Sequence, residues 1–577
     1  MKNPPLKNKK TWCRKAPIYA YDFETTNIAV GTPDLKYLTA FGYDKDGEKF
    51  EISQRVTSLE QLKYILITEF LVPERKGARY VAWNGNKFDA LFIGLSLLDT
   101  DYIIRPYLTK SKSLRGMRIT EKDNDKMYWE FLDGIAMTGI IKKLSQFIAS
   151  FAPEFPKLDL DFSKTEFDPF NPQHVEYAER DSEGLYYALM NCDKIVEDLT
   201  DGLRLTPTIG NLGIKYLQKK MPKDVLVWQP PPDCKDAIHE SAMRGGFCFM
   251  AHKYRGKTWK YDINQAYAAA MRDAELPSGR CGSVYCFQPD MPGIYLINAT
   301  TNVLSKVPFY YKDAVTGKAL FSNSEITNAW ITSTEYKQLT GEGWQIEILQ
   351  GWTWSNTFNL ADMVNELEVL RHSDPEGPSG PLGLMCKMIG NNAYGKTAER
   401  LDGIELILSA DCPDGFAPYD PENLPYVWFK FDEEKIFRPY HQPQLGAFIT
   451  AHVRMVVRQA ALLAGMAWIY ADTDCIACSA PARGLDIHPK RYGAWKQETD
   501  GELYQFIAKK VYNEPGKSCR HAKGLNVKRV TDLEFDNWYK GKPPTQTQLQ
   551  GANFIKVMSG FDMYVQRIKT GQKIKEG

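Results

Sequence analysis

Tyr470-Ala471-Asp472-Thr473-Asp474-Cys475 is the stretch that decides how the rest of the chain reads. An apolar run, Met466 to Tyr470, enters it, and a mostly apolar run, Ile476 to Ala480, leaves it. The pattern predicts a tight β-hairpin with acidic residues at its turn. A turn holds carboxylates on a rigid base. Two or three of them can bind Mg²⁺, which prefers a few oxygen ligands beside substrate phosphates. Asp is also an ordinary turn residue, so the hairpin alone leaves both readings open.

Composition narrows the field little. The 577 residues suffice for several domains, and 43% hydrophobic with 25% charged residues is ordinary for a globular protein. Lys+Arg 72 against Asp+Glu 71 leaves a net charge of +1. A nucleic-acid binder of this balance must segregate its charge into basic channels and acidic metal sites. Arg567, Lys569, Lys573 and Lys575 form one basic cluster, readable equally as a solvated tail. The 11 cysteines are odd in number and lack framework spacing, which fits a reducing cytosol. Cys475 and Cys478 form a lone CxxC on a predicted strand, where i and i+3 face opposite ways. The start is basic without the apolar core of a signal peptide, and no apolar stretch reads as long enough to span a bilayer. No membrane partner is expected, and the expected location is cytoplasmic.

Further acids recur upstream. Ile18 to Phe23 reads as a strand running into Asp22-Phe23-Glu24-Thr25-Thr26. Alternation puts Asp22 and Glu24 on one side, which is costly in an apolar core unless a cation joins them. A second strand, Arg79 to Trp83, leads through Asn84-Gly85-Asn86-Lys87-Phe88-Asp89 into an apolar helix, where Asp89 can cap or bind metal. Asn171-Pro172 opens a helix that carries Tyr177 and Asp181 on one face. Four acids suffice for two-metal hydrolysis of a phosphate ester.

The ordered set Asp22/Glu24, Asn84…Phe88-Asp89 and Tyr177/Asp181 resembles the 3′–5′ proofreading exonuclease domain of DNA polymerases. The resemblance implies that Asp22, Glu24, Asp89 and Asp181 bind metal and that Tyr177 orients the attacking water. It also implies that Thr25, Asn84 and Phe88 contact a frayed single strand. Lys157, in Pro156-Lys157-Leu158-Asp159, matches a lysine that assists this site in the protein-primed group; a loop surface charge is the plainer alternative.

The middle of the chain continues the series. Leu203 to Pro232 is rich in Pro, Gly and Lys and reads as a crossing between domains. Met243-Arg244-Gly245-Gly246-Phe247 follows, with two glycines that let backbone approach a phosphate and an arginine that can pair with one. It resembles a template-gripping Tyr-x-Gly-Gly motif, with Met243 in the tyrosine's place. Trp259 to Ile263 is a strand carrying Asp262, with Tyr267 five residues on. This resembles polymerase motif A, in which the tyrosine ring excludes a 2′-hydroxyl; Gln265, Ala266 and Ala268 depart from the usual Ser-Leu-Tyr-Pro. Asn359 caps a periodic helix with Arg371 near its end, and Ser373 to Pro381 cannot be helical. A second helix from about Leu382 places Lys387, Asn391 and Tyr394 on one face. The Lys-x-x-x-Asn-x-x-Tyr-Gly string resembles motif B, which binds the incoming nucleotide, with Asn392 in place of Ser and Arg371 as a further phosphate candidate.

On the same resemblance, Thr450 and Arg454 contact a DNA backbone, the opening hairpin is motif C with Cys475 in place of Ser, and Lys510-Val511-Tyr512 holds the primer end. Asp262 and Asp474 are then the polymerase metal pair, with Asp472 close by. The chain is thus similar to family B DNA polymerases. Its wide spacings from Asp262 to Lys387 and from Lys387 to Asp472 resemble the two insertions of protein-primed phage replicases.

This implies an α/β and α+β multidomain fold: a ribonuclease H-like exonuclease domain and a right-hand polymerase domain of palm, fingers and thumb with two insertions. The implied division is 1–200 exonuclease; 201–276 first part of the palm; 277–358 first insertion, meeting terminal protein and template; 359–398 fingers; 399–438 second insertion, serving strand displacement and processivity; 439–530 second part of the palm; 531–577 thumb. Implied cofactors are two Mg²⁺ per active site, about 3.5–4 Å apart, with Mn²⁺ as a substitute. Implied partners are primer–template and single-stranded DNA, dNTPs and a terminal protein that supplies the priming hydroxyl to a monomeric enzyme. The rival readings are a DNA-primed family B polymerase and an inactive polymerase-like DNA-binding factor.

Overall fold

The computed structural model describes residues 4–109, 112–160, 162, 165–303, 305–400, 403–420, 422–432 and 436–571. Lys573 and Lys575 of the basic tail lie outside them. Three sheets organise the chain. The first has ten strands, and its centre is the parallel set Ile18–Thr25, Arg79–Ala82 and Tyr128–Asp133. Alternation along Ile18–Thr25 divides two cores. Ile18 and Ala20 pack with Phe147, Ile148 and Leu185, whereas Tyr19, Tyr21 and Phe23 pack with Leu91 and Phe92. The 29-residue helix Pro172–Thr200 opens on Asn171, whose side chain accepts from the Gln173 amide, and its Leu185 and Leu189 fill the first core.

The second sheet has eight strands and carries the acidic hairpin. Trp468–Thr473 and Cys475–Cys478 pair through Asp472↔Cys475. They lie between Phe247–Met250 and Tyr254–Ile263. Trp468 is fully buried under the hairpin, and its indole donates to the Tyr470 carbonyl at 3.1 Å. Truncating such a ring to Ala costs about 3–5 kcal/mol.

The helical hairpin consists of Ala361–His372 and Pro381–Thr397. The Asn359 side chain accepts from the Ala361 amide at 3.1 Å. Asp374 closes the connection by accepting from the Glu376 and Gly383 amides, both at 2.8 Å. The second helix sits on Ile209–Lys220 at Gly213, where a Cβ would come within 2.8 Å of the Ala393 nitrogen.

Four expectations need correction. The block 399–438, expected as a separate insertion, extends the first sheet: Ile404–Leu408 joins Tyr102–Leu108 at Leu408↔Ile104, and Arg105 pairs with Glu405 at 2.8 Å. An edge strand with unpaired backbone groups is a ready template for such addition. Similarly, Leu6–Lys7, expected within the 1–200 domain, pairs with Leu226–Val227 in the six-stranded sheet that carries most of 277–358. The segment 531–577 divides between two cores: Phe535 and Trp538 pack with Ile507 and Val511, whereas Phe554 and Met558 close on Gly94. Finally, Pro443–Ala467 does have the length and apolarity to cross a bilayer, but 61% of its apolar window is buried inside the fold. It is a core helix here, which the apolar composition alone does not distinguish.

Candidate active sites

The first site forms where the ten-stranded sheet meets the long helix. Carboxylate oxygens of Asp22, Glu24 and Asp181 lie within 4.8 Å of one another. Asp89 begins the helix Asp89–Leu97, and its Oδ1 accepts from the Phe23 amide at 3.1 Å. That bond ties the fourth acid to the strand between the first two. Crowded acids in a dry site resist ionisation. Burial, then Asp89 and Glu24, drive Asp22 well above the usual carboxylate range. Burial and Asp181 push Glu24 up to about 8, and burial pushes Asp89 up to about 7. Burial also raises Asp181, although Lys157 opposes it. Asp181 Oδ1 is buried and no hydrogen bond of normal geometry reaches it among the described residues. Such a donor set fits a divalent cation, whose charge would make ionisation favourable and satisfy the stranded oxygen.

Lys157 is not a loop surface charge. Its ammonium pairs with Asp181 and sits 4.4 Å from the centre of the Tyr177 ring. Burial and Asp181 hold the Tyr177 hydroxyl protonated, pushing it up to about 12. Asn84 is exposed, and Thr25 and Phe88 are half-buried beside the acids. Sequence reasoning missed Asp133, which accepts from the Asn86 and Ala136 amides at 3.0 and 2.9 Å and so fixes the turn before Asp89. Its signal was an acid at a strand end directly before Gly134.

The second site surrounds the acidic hairpin. Asp262 pairs with Cys475, which pairs with Asp472, and cross-strand partners project from one face. Thr473 takes the left-handed conformation (φ 66°) at the turn, a costly one for a β-branched residue. The Ile263 amide then donates to the Asp474 carbonyl at 2.9 Å, which draws the turn against the strand of Asp262. Burial, and next the Asp474 charge, push Asp262 up to about 7; burial raises Asp474 as well. Lys387 faces both. Burial and Arg371 lower it, whereas Asp262 and Asp474 pull it back. Asn391 is half-buried one turn further along the same helix. Tyr267 and Tyr394 stack with centroids 4.9 Å apart and planes 20° apart. Asp472 is engaged elsewhere: Lys510 lies 2.9 Å away and the Tyr470 hydroxyl donates to it at 3.1 Å. Gly246 abuts the back of the turn, where a Cβ would lie 2.7 Å from Thr473 Cα.

Four expected DNA contacts are corrected. The Arg244 and Arg454 side chains are only 0% and 1% exposed and converge on Glu335. Thr450 does share a face with Arg454, but that face points inward and its hydroxyl accepts from the guanidinium at 3.2 Å. Tyr512 is buried with Tyr470 and Phe506, its ring stacked 4.3 Å from His521. Gly245 remains exposed.

Comparison with known proteins agrees with this geometry. Residues 168–412 match the family described as DNA polymerase type B, organellar and viral. A probable DNA polymerase of Ascobolus immersus is 22% identical over 292 residues, which are 48% of this chain and 24% of that protein. A DNA polymerase of Kluyveromyces lactis is 24% identical over 290 residues, 47% of this chain and 29% of that protein. The chain thus spans about a quarter of the length of these curated relatives. The matched segment covers less than half of this chain. Over nearly its whole length the fold is that of Phi29 DNA polymerase. The structure of that enzyme with primer-template DNA and incoming nucleotide aligns at TM-score 0.72 and 18% identity, covering 97% of this chain and 100% of that one. Its complex with single-stranded DNA aligns at TM-score 0.69 over the same shares.

Proposed function

We propose that this chain is a DNA-directed DNA polymerase that replicates a phage-like genome in the host cytoplasm. It starts from a terminal protein, elongates with strand displacement as a monomer and proofreads by 3′–5′ exonuclease action. The observation that carries the reading is the convergence of Asp262, Asp474 and Lys387 from two strands and a helix onto one site, with a separate four-acid site in the first sheet.

At the polymerase site Asp262 and Asp474 would hold Mg²⁺. When bound, the metal pair supplies a lowered pKa for the primer 3′-hydroxyl and neutralises charge on the leaving pyrophosphate. Lys387 adds a positive charge where the triphosphate lies, and Arg371 reinforces it. The stacked Tyr267 and Tyr394 form a rigid floor under the sugar. Lys510 neutralises Asp472 and leaves the hairpin's second acid as the metal-facing one. At the exonuclease site Asp22, Glu24, Asp89 and Asp181 would hold the metals, while Lys157 fixes Tyr177 to orient the water. Asn84, Thr25 and Phe88 line the approach, where a phenyl ring can stack on an unpaired base.

The direct test is extension of a primed template with Mg²⁺ and labelled dNTPs. Incubation with a candidate terminal protein and no DNA primer then asks whether the first nucleotide becomes attached to protein. Labelling only of DNA primers would leave a DNA-primed enzyme, and no incorporation at all would sink the polymerase reading. A finer prediction concerns sugar choice. Tyr267→Val removes the ring that a 2′-hydroxyl must overpack against, a cost of about 1–3 kcal/mol. Discrimination against rNTPs is expected to fall by one to two decades, measured as the ratio of kcat/KM for dNTP and rNTP.

A further inference from the structure

Glu335 sits 0% exposed at the third position of the helix Ser333–Gly341, in the block that follows the polymerase strand of Asp262. Its two oxygens have separate tasks. Oε2 closes a capping box, accepting from the Thr332 amide at 2.9 Å and its hydroxyl at 3.2 Å. Oε1 accepts from Arg454 Nε and Nη2 at 3.2 and 2.8 Å, and Arg244 pairs with the same oxygen. Two buried guanidiniums therefore share one carboxylate. Arg454 Nη1 continues the chain of contacts, donating to the Arg244 carbonyl at 2.7 Å and toward the Gly245 carbonyl at 3.5 Å. The next residue, Gly246, lies against Thr473 Cα, between Asp472 and Asp474. A capping box alone needs neither arginine, and a buried cation pair alone needs no backbone contact at the hairpin.

We propose that Glu335 is a positioning residue for polymerisation: through Arg454 it sets the Gly245-Gly246 backbone against the acidic turn and so aligns Asp474. The inference rests on the polymerase reading of the hairpin site. Removing one partner of a buried ion pair leaves uncompensated charge, which the surrounding backbone must move to relieve. A displacement on the order of 1 Å at a reacting centre costs about 10²-fold in rate. The exonuclease acids stand on another sheet and should be indifferent.

Glu335→Gln tests this in the full chain. Primer extension kcat/KM is expected to fall by about 10- to 100-fold, with hydrolysis of single-stranded DNA within about twofold of wild type on the same folded sample. Arg454→Lys is the companion variant. It retains a cation for Glu335 but cannot also reach the Arg244 carbonyl, and the same polymerase-selective loss is expected even if Glu335→Gln fails to fold. Equal losses of both activities in the folded protein, or wild-type extension by Arg454→Lys, would overturn the proposal. Wild-type protein that incorporates no dNTP would instead overturn the polymerase reading itself.

Discussion

Asp262→Asn and Asp474→Asn are each expected to lower Mg²⁺-dependent nucleotide incorporation by at least about 10³-fold, with hydrolysis of single-stranded DNA unchanged. Losing one preorganised electrostatic partner of a transition state already costs about 10²–10³ in kcat, and losing a metal ligand removes more than one such interaction. The amide is nearly isosteric, so the Asp262↔Cys475 register and the bond from the Ile263 amide to the Asp474 carbonyl persist. Folding should not suffer. Asp262 titrates near 7 because burial and Asp474 disfavour its charge. Its proton is bound more tightly in the folded than in the unfolded chain. Ionisation of this group therefore destabilises the metal-free fold as pH rises from about 4 through 7. Asn, which cannot ionise, is expected to leave Tm at pH 8 without Mg²⁺ equal to or above wild type. Single-turnover extension, exonuclease assay and thermal melts on one preparation check all three. An Asp474→Asn enzyme that extends primers at the wild-type rate would show that the hairpin is only an acidic turn.

What the sequence made legible was local. Period-2 alternation put Asp22 and Glu24 on one side of their strand, and their oxygens do converge with Asp181. The turn at Asp472-Thr473-Asp474 and the helix face of Lys387, Asn391 and Tyr394 follow from equally short-range rules. What it hid depends on partners remote in the chain. Arg244 beside two glycines has the look of a phosphate clamp because a guanidinium is costly to bury. The counter-charge that makes burial tolerable, Glu335, lies in a block with no acid cluster of its own. Lys157 was reachable only through the family resemblance, since its loop carries no local sign of the contact with Asp181. Pairing of Leu408 with Ile104 across two expected domains was equally invisible, because backbone edges leave no side-chain signature.

Asp22→Ala with Glu24→Ala is expected to abolish 3′–5′ hydrolysis, by at least about 10³-fold, since both metal-facing acids of one strand vanish together. The same pair makes a prediction about pH that activity alone does not reach. In the metal-free fold Glu24 titrates near 8 and Asp89 near 7, both raised first of all by burial. These acids hold protons in the folded chain that the unfolded chain has already released. Their contribution to stability is therefore fullest below the ordinary carboxylate range and is lost as pH climbs toward 8. A divalent cation reverses this, because it binds the ionised form and must displace those protons. The increase in Tm produced by Mg²⁺ is accordingly expected to be larger at pH 8.5 than at pH 6, and proton release on binding to be measurable calorimetrically at pH 6. The hairpin acids contribute their own share, so the decisive comparison is between the double variant and wild type: the variant should lose part of the pH-dependent increase and retain the part owed to Asp262 and Asp474. An increase that is the same at both pH values, or one that the double substitution leaves untouched, would mean that Asp22 and Glu24 do not share a cation.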